Sequence, residues 1–256
     1  MPTKTVVLIG AGRLATNLGI ALVNNKFKIL QVYSRTAKSA KELASKLNCN
    51  YTNNFNQLDN SASLYIISVK DDVLPVIAKK IALKNKLVVH TSGSINMDVL
   101  KNVSSSYGIF YPLQTFNKNK TLDFREIPVF IEASDLKTKK QISTIAKSIS
   151  KKVHYADSET RKLIHLSAVF ACNFSNHMYT IASTLLQSKK ILFSILQPLV
   201  VETAKKAFEI TPNKAQTGPA IRRDQKVIEE HLKLLKATKT NKEIYSLLTK
   251  SIQQTR

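Results

Sequence analysis

The chain has 256 residues, with 39 Lys and Arg against 17 Asp and Glu, which gives a formal net charge of +22. A hydrophobic content of 43% is sufficient for one or two folded domains. No stretch is long and apolar enough to cross a bilayer, and no signal-peptide pattern opens the chain, so we expect a cytoplasmic protein without a membrane partner. Cys49 and Cys172 are too far apart for a disulfide framework, and no metal-ligand spacing occurs, so no metal is predicted.

The positive charge alone does not indicate a nucleic-acid-binding protein. The lysines are distributed along the whole chain, often in pairs on the polar faces of predicted helices, and arginine is scarce. No cluster of aromatic and basic residues forms a platform for bases. We therefore interpret the charge as a solvated surface and expect no specific nucleic-acid partner. Steering of an anionic substrate and incidental nucleic-acid contact stay open.

A glycine-rich turn near the start of the chain predicts a dinucleotide site. The apolar run Val6–Ile9 ends at Gly10, and Gly12, Arg13 and Leu14 lead into a helix-like pattern that reaches Asn24. The first glycine permits a tight turn, and the second permits close approach of a pyrophosphate to the helix N-terminus. An ordinary strand-to-helix turn is the alternative.

The end of the second strand, predicted over 28–33, favours NADP over NAD. NAD sites usually carry an acidic residue here, to hold the ribose hydroxyls. This chain instead has Ser34, Arg35 and Thr36, whose hydroxyls and guanidinium suit a 2′-phosphate. The alternative is a plain turn, because Ser and Thr also cap the N-terminus of a helix such as the one predicted over 37–47.

Regular alternation of strands and helices continues to residue 155 and predicts a doubly wound α/β sheet over 1–156. Further strands are expected at 50–52, 63–69, 86–90, 108–112, 128–132 and 152–155. Helices are expected from Asp71 or Asp72 to Ala82 and over 136–150. Parallel sheets bind ligands beyond the carboxyl ends of their strands. The expected cofactor-lining residues are therefore Ser68, Val69 and Lys70 after one strand, and Thr91, Ser92 and Gly93 after the next. Capping and turn roles are the alternative.

A polar and aromatic turn at 111–116, after the strand predicted at 108–112, is expected beside the nicotinamide. Its sequence is Tyr-Pro-Leu-Gln-Thr-Phe. The alternative is a structural turn whose aromatic side chains fill the core.

Residues 157–256 carry only helical patterns, which predicts an all-helical second domain. Its first helix is expected to run from Ser158 to Gln187 and is apolar on nearly every face. Such a helix is normally buried on most sides. A domain of this size would struggle to bury it alone, so we predict a homodimer formed through the C-terminal helices. Further helices are expected near 195–208, 224–236 and 242–253.

Polar residues within the long helix are the candidate catalytic groups. At 100° per residue, His165, Asn173 and Asn176 fall on one stripe. Buried amides and imidazoles must be paired or face a cleft. His165 is therefore the candidate general acid, and the two asparagines are the candidates to orient a carbonyl or carboxylate. Hydrogen bonding between packed helices is the alternative.

Five segments together resemble one protein family. They are GAGRLATNL at the start, HTSG after the fifth strand, YPLQTF, AVFACNFSNH and TGPAIRRD. The family comprises Rossmann-like proteins with a C-terminal helical domain of unknown function, often labelled NADP oxidoreductases. It belongs to the superfamily of 6-phosphogluconate dehydrogenase and pyrroline-5-carboxylate reductase. The resemblance implies NADP binding through the Gly10–Leu14 turn and Ser34-Arg35, and a dimerising helical domain. The helix lysine used by β-hydroxyacid dehydrogenases is not evident, which weakens a hydroxyacid assignment.

These observations predict an NADP-dependent oxidoreductase. It would transfer a hydride to or from a small carbonyl or imine substrate, with the cofactor carrying the hydride and the protein orienting the reactants. The alternatives are a non-catalytic NADP-binding sensor or scaffold and, on charge alone, a nucleic-acid-associated protein.

Overall fold

A computed structural model describes residues 4–117, 122–235 and 238–254. The chain forms two compact units, Met1–Cys172 and Asn173–Arg256. The strands end well before this division, and the domain boundary predicted after residue 156 stays a prediction. Lys236, the predicted end of one helix, lies outside the described residues.

The first unit is built on one eight-stranded sheet, which confirms the predicted doubly wound α/β class. The strand order is β3-β2-β1-β4-β5-β6-β7-β8. Neighbouring strands are parallel except for the antiparallel pair β6 and β7. The bounds are β1 Thr5–Ile9, β2 Lys28–Tyr33, β3 Asn50–Thr52, β4 Leu64–Ile67, β5 Leu87–His90, β6 Ser106–Pro112, β7 Val129–Ala133 and β8 Val153–Tyr155.

Apolar side chains cover both faces of the sheet, as the near-continuous apolar strands require. One face packs against α1 (Arg13–Asn24), α2 (Ala37–Leu47) and α4 (Leu136–Ile149). The other face packs against α3 (Leu74–Ala78) and nearby loops. Alternate residues of β1 divide between the two clusters, so that Leu8 enters the first and Ile9 the second.

Short polar side chains cap the N-termini of several helices. Thr36 caps α2 by accepting from the Ser39 amide, and Asp135 caps α4 by accepting from the Thr138 amide. Asp157 caps α5 (Ser158–Ala168) in the same way. The exposed carboxyls of Asp135 and Asp157 have pKa values below their ordinary value, because each accepts hydrogen bonds at its helix N-terminus.

The helix predicted from Asp71 or Asp72 to Ala82 is wrong in both bounds. The structure has only the short α3, which starts after Val73 without a side-chain cap. The preceding residues form a turn, in which the Lys70 carbonyl accepts from the amides of Val73 and Leu74. At the other end, a tight bond from the Lys80 amide to the Ile77 carbonyl stops the helix.

The long helix predicted over 158–187 reaches Gln187 but is interrupted. α5 passes into π-helical turns over Val169–Phe174, and α6 (Ser175–Gln187) follows. A π-helix has wider turns than an α-helix. The stripe of polar residues, which assumed 100° per residue throughout, therefore loses its geometric basis.

The expectation that this helix is buried on most faces is also wrong for the single chain. Leu163 is 65% exposed and Phe170 is 62% exposed. Of the described residues in α5, only Ser158 and Arg161 are buried.

The second unit is helical and buries few apolar side chains. Its elements are α6, α7 (Gln197–Glu209), α8 (Pro212–Ala215), α9 (Pro219–Arg222), α10 (Gln225–Leu234) and α11 (Lys239–Gln254). His231 Nδ1 lies 2.9 Å from the Tyr245 hydroxyl and joins α10 to α11. Phe208 is 93% exposed and Leu234 is 81% exposed. In the described ranges, no helix combines the length and apolar character needed to cross a membrane.

Gly108 provides a test of how tightly β6, β7 and α4 are packed. A Cβ at this position would overlap the Glu132 carbonyl oxygen and lie 2.7 Å from Ile142 Cδ1. Because backbone cannot yield cheaply, we expect Gly108→Ala to lower the free energy of unfolding by about 2–3 kcal/mol in urea titrations. Ser106→Ala, at the partly exposed start of β6, is the control. Equal stability of both variants would contradict this packing.

Candidate functional site

Four strands end at the same level and place the predicted cofactor segments side by side. In register, Ile9 is paired with Tyr33 on one side and with Ile67 on the other, and Ile67 is paired with His90. Hydrogen bonds continue past the strand ends, from the Gly10 amide to the Tyr33 carbonyl (2.8 Å) and from the Ser68 amide to the Ile9 carbonyl (2.8 Å). The Thr91 amide likewise donates to the Ile67 carbonyl at 3.1 Å. This edge is where open parallel sheets bind ligands.

The Gly10–Leu14 turn has the features of a dinucleotide cradle. Gly10 has φ +124°, and a Cβ there would overlap the Ser68 carbonyl oxygen and approach Val69. Only glycine fits this turn. Gly12 is exposed at the N-terminus of α1, and a Cβ there would meet nothing within 4 Å. The open space and free helix amides fit a pyrophosphate.

The residues directly after β2 place the guanidinium of Arg35 at the surface. The Ser34 amide donates to the Thr52 carbonyl, and Thr36 caps α2 through its hydroxyl. Arg35 is exposed, and none of the described side chains forms an ion pair with its guanidinium. The capping alternative therefore holds for Thr36, while Arg35 is available to an external anion.

The segments after β4 and β5 differ in accessibility. Ser68 and Val69 are half-buried against Gly10, and Lys70 is exposed. Thr91 and Ser92 are buried, at 6% and 7% exposure. The Ser92 hydroxyl accepts hydrogen bonds from the amides of Ser94 and Ile95, and therefore shapes its own loop.

His165 packs directly on the loop that follows β5. A Cβ on Gly93 would lie 2.6 Å from His165 Cγ, so a glycine is needed for the imidazole to sit there. His165 Nδ1 lies 2.8 Å from the Tyr111 hydroxyl, and the two rings meet edge to face. The structure thus brings together His165, Gly93 and the start of the polar turn at Tyr111.

Burial keeps the Tyr111 phenol protonated. Burial raises the pKa of Tyr111 to about 12; the positive charge of Arg161 acts in the opposite direction, and the negative charge of Asp71 adds to the increase. A protonated phenol can donate to a neutral imidazole or accept from an imidazolium N–H. The Tyr111–His165 pair can therefore form in both protonation states of the imidazole.

Asn173 and Asn176 were selected because they were expected to be buried. Both are exposed in this chain rather than buried. Burial within the single chain was wrongly expected because the helix is interrupted at 169–174 and is not covered on most faces. A role for them in orienting a substrate stays a prediction.

A buried charged cluster beneath this region escaped the sequence argument. Arg161, on α5, is fully buried and forms an ion pair with Glu132 of β7. Glu132 also accepts from the Ser158 amide (3.0 Å) and from the Ser158 hydroxyl (2.8 Å). Two signals could have revealed the cluster, namely an acidic residue at the end of an apolar strand and an arginine one helical turn before His165.

His90, the last residue of β5, is fully buried and neutral. Its Nδ1 lies 3.2 Å from the Ser92 amide, which donates to it. Burial lowers the pKa of His90 to about 3, and the charge of Arg161 lowers it further, while a backbone contact with Asn96 acts in the opposite direction. His90 therefore supports the Thr91–Gly93 loop and does not serve as a proton donor near neutral pH.

The His90 pKa predicts a pH-dependent stability. Because its pKa falls from 6.5 to about 3 on folding, its contribution is complete above pH 6.5 and is lost as the pH falls toward 3. We expect a slope of up to about 1.4 kcal/mol per pH unit from this group. His90→Asn keeps an acceptor for the Ser92 amide but should flatten that slope in urea titrations at several pH values. His154→Asn, which changes an exposed histidine, is the control and should leave the slope unchanged.

Comparisons with known proteins agree with this architecture. A Rossmann-like domain model matches residues 1–114. The model of a domain of unknown function, DUF2520, matches residues 127–252. No match was found among curated proteins.

Solved structures of similar proteins cover almost the whole chain. The putative NADP oxidoreductase BF3122 from Bacteroides fragilis has 46% identity and a TM-score of 0.94, and the match covers 98% of each chain. An imine reductase from Streptomyces aurantiacus has 13% identity and a TM-score of 0.70, covering 98% of this chain and 94% of the other. A reductive aminase from Aspergillus terreus, in complex with NADPH and ethyl-5-oxohexanoate, has 12% identity and a TM-score of 0.70, covering 98% and 93%. These last two show the fold alone. The identity over nearly the full length of the Bacteroides fragilis protein shows that the chain belongs to the same family, Rossmann-like proteins with a C-terminal DUF2520 domain.

Proposed function

We propose that the protein is an NADP-dependent oxidoreductase that acts on a small carbonyl or imine compound. The observation that carries the proposal is the position of His165. Its imidazole packs on Gly93, beyond the end of β5, and is hydrogen-bonded to the buried phenol of Tyr111. A proton donor beside the cofactor edge of a Rossmann sheet is what reduction of C=O or C=N requires.

The cofactor would be held by the Gly10–Leu14 turn and by the surface after β2. Gly10 permits the tight turn against Ser68, Gly12 leaves the approach to α1 open, and the α1 amides favour a pyrophosphate. Arg35 presents a guanidinium that no described side chain pairs with, at the position where NAD-binding proteins carry an acidic residue, which favours a 2′-phosphate. When bound, the nicotinamide supplies or takes the hydride.

His165 is the proposed proton donor to the substrate. In the reductive direction the substrate carbon gains a hydride, and the oxygen or nitrogen bonded to it gains a proton from the imidazolium form of His165. The product is an alcohol or an amine, and His165 is left as a neutral imidazole. The ring nitrogen not engaged by Tyr111 is Nε2, and it is the proposed donating atom. Tyr111 holds the ring orientation through Nδ1 and stays protonated near neutral pH.

The names of similar proteins are consistent with this chemistry. The family member from Bacteroides fragilis carries the name putative NADP oxidoreductase. The more distant proteins of the same fold act on imines or carry NADPH with a keto ester. For this chain we propose a small-molecule substrate, a cytoplasmic location and a homodimer through the C-terminal helices. The exposed apolar side chains of Leu163 and Phe208 support the dimer. A substrate-orienting role for Asn173 and Asn176 rests on the sequence alone.

Cofactor selectivity gives the first test. We expect tight NADPH binding by fluorescence titration and weaker NADH binding. Arg35→Ala should weaken NADPH binding by about 10- to 100-fold, because it removes the cation facing the 2′-phosphate, and should leave NADH binding nearly unchanged. Lys41→Ala removes an exposed charge one turn into α2 and controls for long-range electrostatics. Equal affinity for the two cofactors would contradict the role of Arg35, and failure to bind either one would contradict the proposal.

Turnover gives the second test. The protein should oxidise NADPH in the presence of at least one member of a panel of small aldehydes, ketones and cyclic imines. On that substrate, His165→Ala should lower kcat by about 10²- to 10⁴-fold and leave NADPH affinity intact, since only the proton donor is lost. His154→Ala, at an exposed position on β8, should retain activity. Tight NADPH binding without turnover across the panel would favour a sensor or scaffold instead.

A further inference from the structure

We infer that Arg161 is a positioning residue for His165. It holds the helix that carries His165 and the loop that carries Gly93 in one fixed arrangement. In the described part of the chain, Arg161 forms no hydrogen bond with the proposed cofactor-lining residues or with Tyr111. The inference rests on the proposed function only for its catalytic consequence, because the positioning itself is a property of the free protein.

The first half of the arrangement is the anchoring of α5 to the sheet. Arg161 and His165 are four residues apart in α5, so they lie on the same side of the helix, one turn from each other. The Arg161 Nη1 group pairs with Glu132 of β7, and Nη2 donates to the Ser158 hydroxyl at 3.2 Å. Ser158 in turn donates to Glu132 through both its amide and its hydroxyl. These bonds fix the first turn of α5, and hence the height and rotation at which His165 leaves the helix.

The second half is the anchoring of the loop beneath His165. Arg161 Nη2 donates to the Ile95 carbonyl at 2.5 Å. The Ile95 amide donates to the Ser92 hydroxyl at 3.0 Å, so the carbonyl and the Gly93 turn move together. The Met97 amide also reaches the Ser158 hydroxyl, at 3.4 Å. One guanidinium therefore bonds the start of α5, through Ser158, and the loop two residues after Gly93, through the Ile95 carbonyl. A lysine with a single nitrogen could not do this with the same geometry.

The energetics favour positioning over stability as the reason for this arginine. Arg161 is fully buried, and a buried ion pair is often no more stable than apolar side chains of similar volume. Its Nε has no hydrogen-bond partner among the described residues, which adds a further cost. Departures of this kind from the usual rules of polar burial occur where function requires a particular geometry.

The experiment compares the histidine tautomer in variants of the full chain by long-range ¹⁵N NMR. The His165 signals are assigned from their absence in His165→Ala. In the unaltered protein we expect one tautomer, set by the Tyr111 hydroxyl. Arg161→Lys should keep the positive charge but lose the simultaneous hydrogen bonds that Nη1 and Nη2 form. The His165 signals should then move toward those of an exchanging, solvent-exposed imidazole. Lys162→Met, which removes the neighbouring exposed cation that pairs with Glu159, should leave them unchanged.

A double variant keeps the test decisive if Arg161→Lys fails to fold. Arg161→Met with Glu132→Met removes both charges and leaves neither one buried without a partner, so folding is expected. The bond to Ile95 is lost, and we expect the same change in the His165 signals. Ile29→Val, a core substitution in β2 near the opposite edge of the sheet from β7, lowers stability away from the cluster and shows whether instability alone moves them. If folded Arg161 variants keep the native tautomer, or if Ile29→Val moves the signals equally, the inference is overturned.

Kinetics then separate the inference from the proposed function. On a substrate identified in the panel, Arg161→Lys should lower kcat by about 10- to 100-fold, with NADPH affinity changed by less than about twofold. A protein that neither binds NADPH nor turns over would refute the proposed function, and the tautomer result would still decide the role of Arg161. A change of tautomer without any loss of kcat on an active substrate would refute the catalytic consequence.

Discussion

The level ends of four parallel strands are the constraint on which the rest of the candidate site depends. Peptide hydrogen bonds from Gly10 to Tyr33, from Ser68 to Ile9 and from Thr91 to Ile67 extend the sheet by one residue beyond the strands. Each following segment therefore starts from a fixed position. The overlap that any Cβ on Gly10 would produce with Ser68 shows how closely the first two segments approach. A cofactor cradle can form here because the backbone, rather than flexible side chains, defines its floor.

Charge is distributed unevenly over this edge. Beneath the loop, burial and the charge of Arg161 keep His90 uncharged, so the loop is supported without a competing cation. Arg161 itself is neutralised by Glu132, and Tyr111 keeps its proton because it is buried. Of these groups, only His165 sits half-buried, where an imidazole can exchange protons with a ligand or with solvent. The polar groups beneath the loop are thus uncharged or paired with an opposite charge, and His165 is the group placed for proton transfer.

The strands of the sheet were predicted from the sequence more accurately than the bounds of the helices. Strands β1, β4 and β5 are buried on both faces, so each appears in the sequence as an apolar run. The glycines at 10 and 12, placed between a strand and a helix, are typical of a dinucleotide-binding turn. The predicted strand over 63–69 was too long because the sheet hydrogen bonds end at the Ser68 amide, and the Ser68 carbonyl and Val69 approach Gly10 in a tertiary contact. The helix after β4 was overextended because turn bonds at Lys70 and Lys80 override its apolar spacing. The π-helical turns at 169–174 have no periodic signal that separates them from an α-helix.

The candidate site shows the same division between local and distant information. Gly10, Gly12 and Arg35 follow from motifs within a few residues. The hydrogen-bond partner of His165 is Tyr111, which is 54 residues away in β6. The chemistry of a side chain can be seen in the sequence. Its contact partner depends on which strand ends the tertiary fold places side by side. His165 was selected by a helical stripe that the π-helical turns invalidate, yet its packing on Gly93 gives an independent reason for it. Among the described residues, the asparagines that shared the stripe have no such contact, so the structural support for a catalytic role falls on the imidazole.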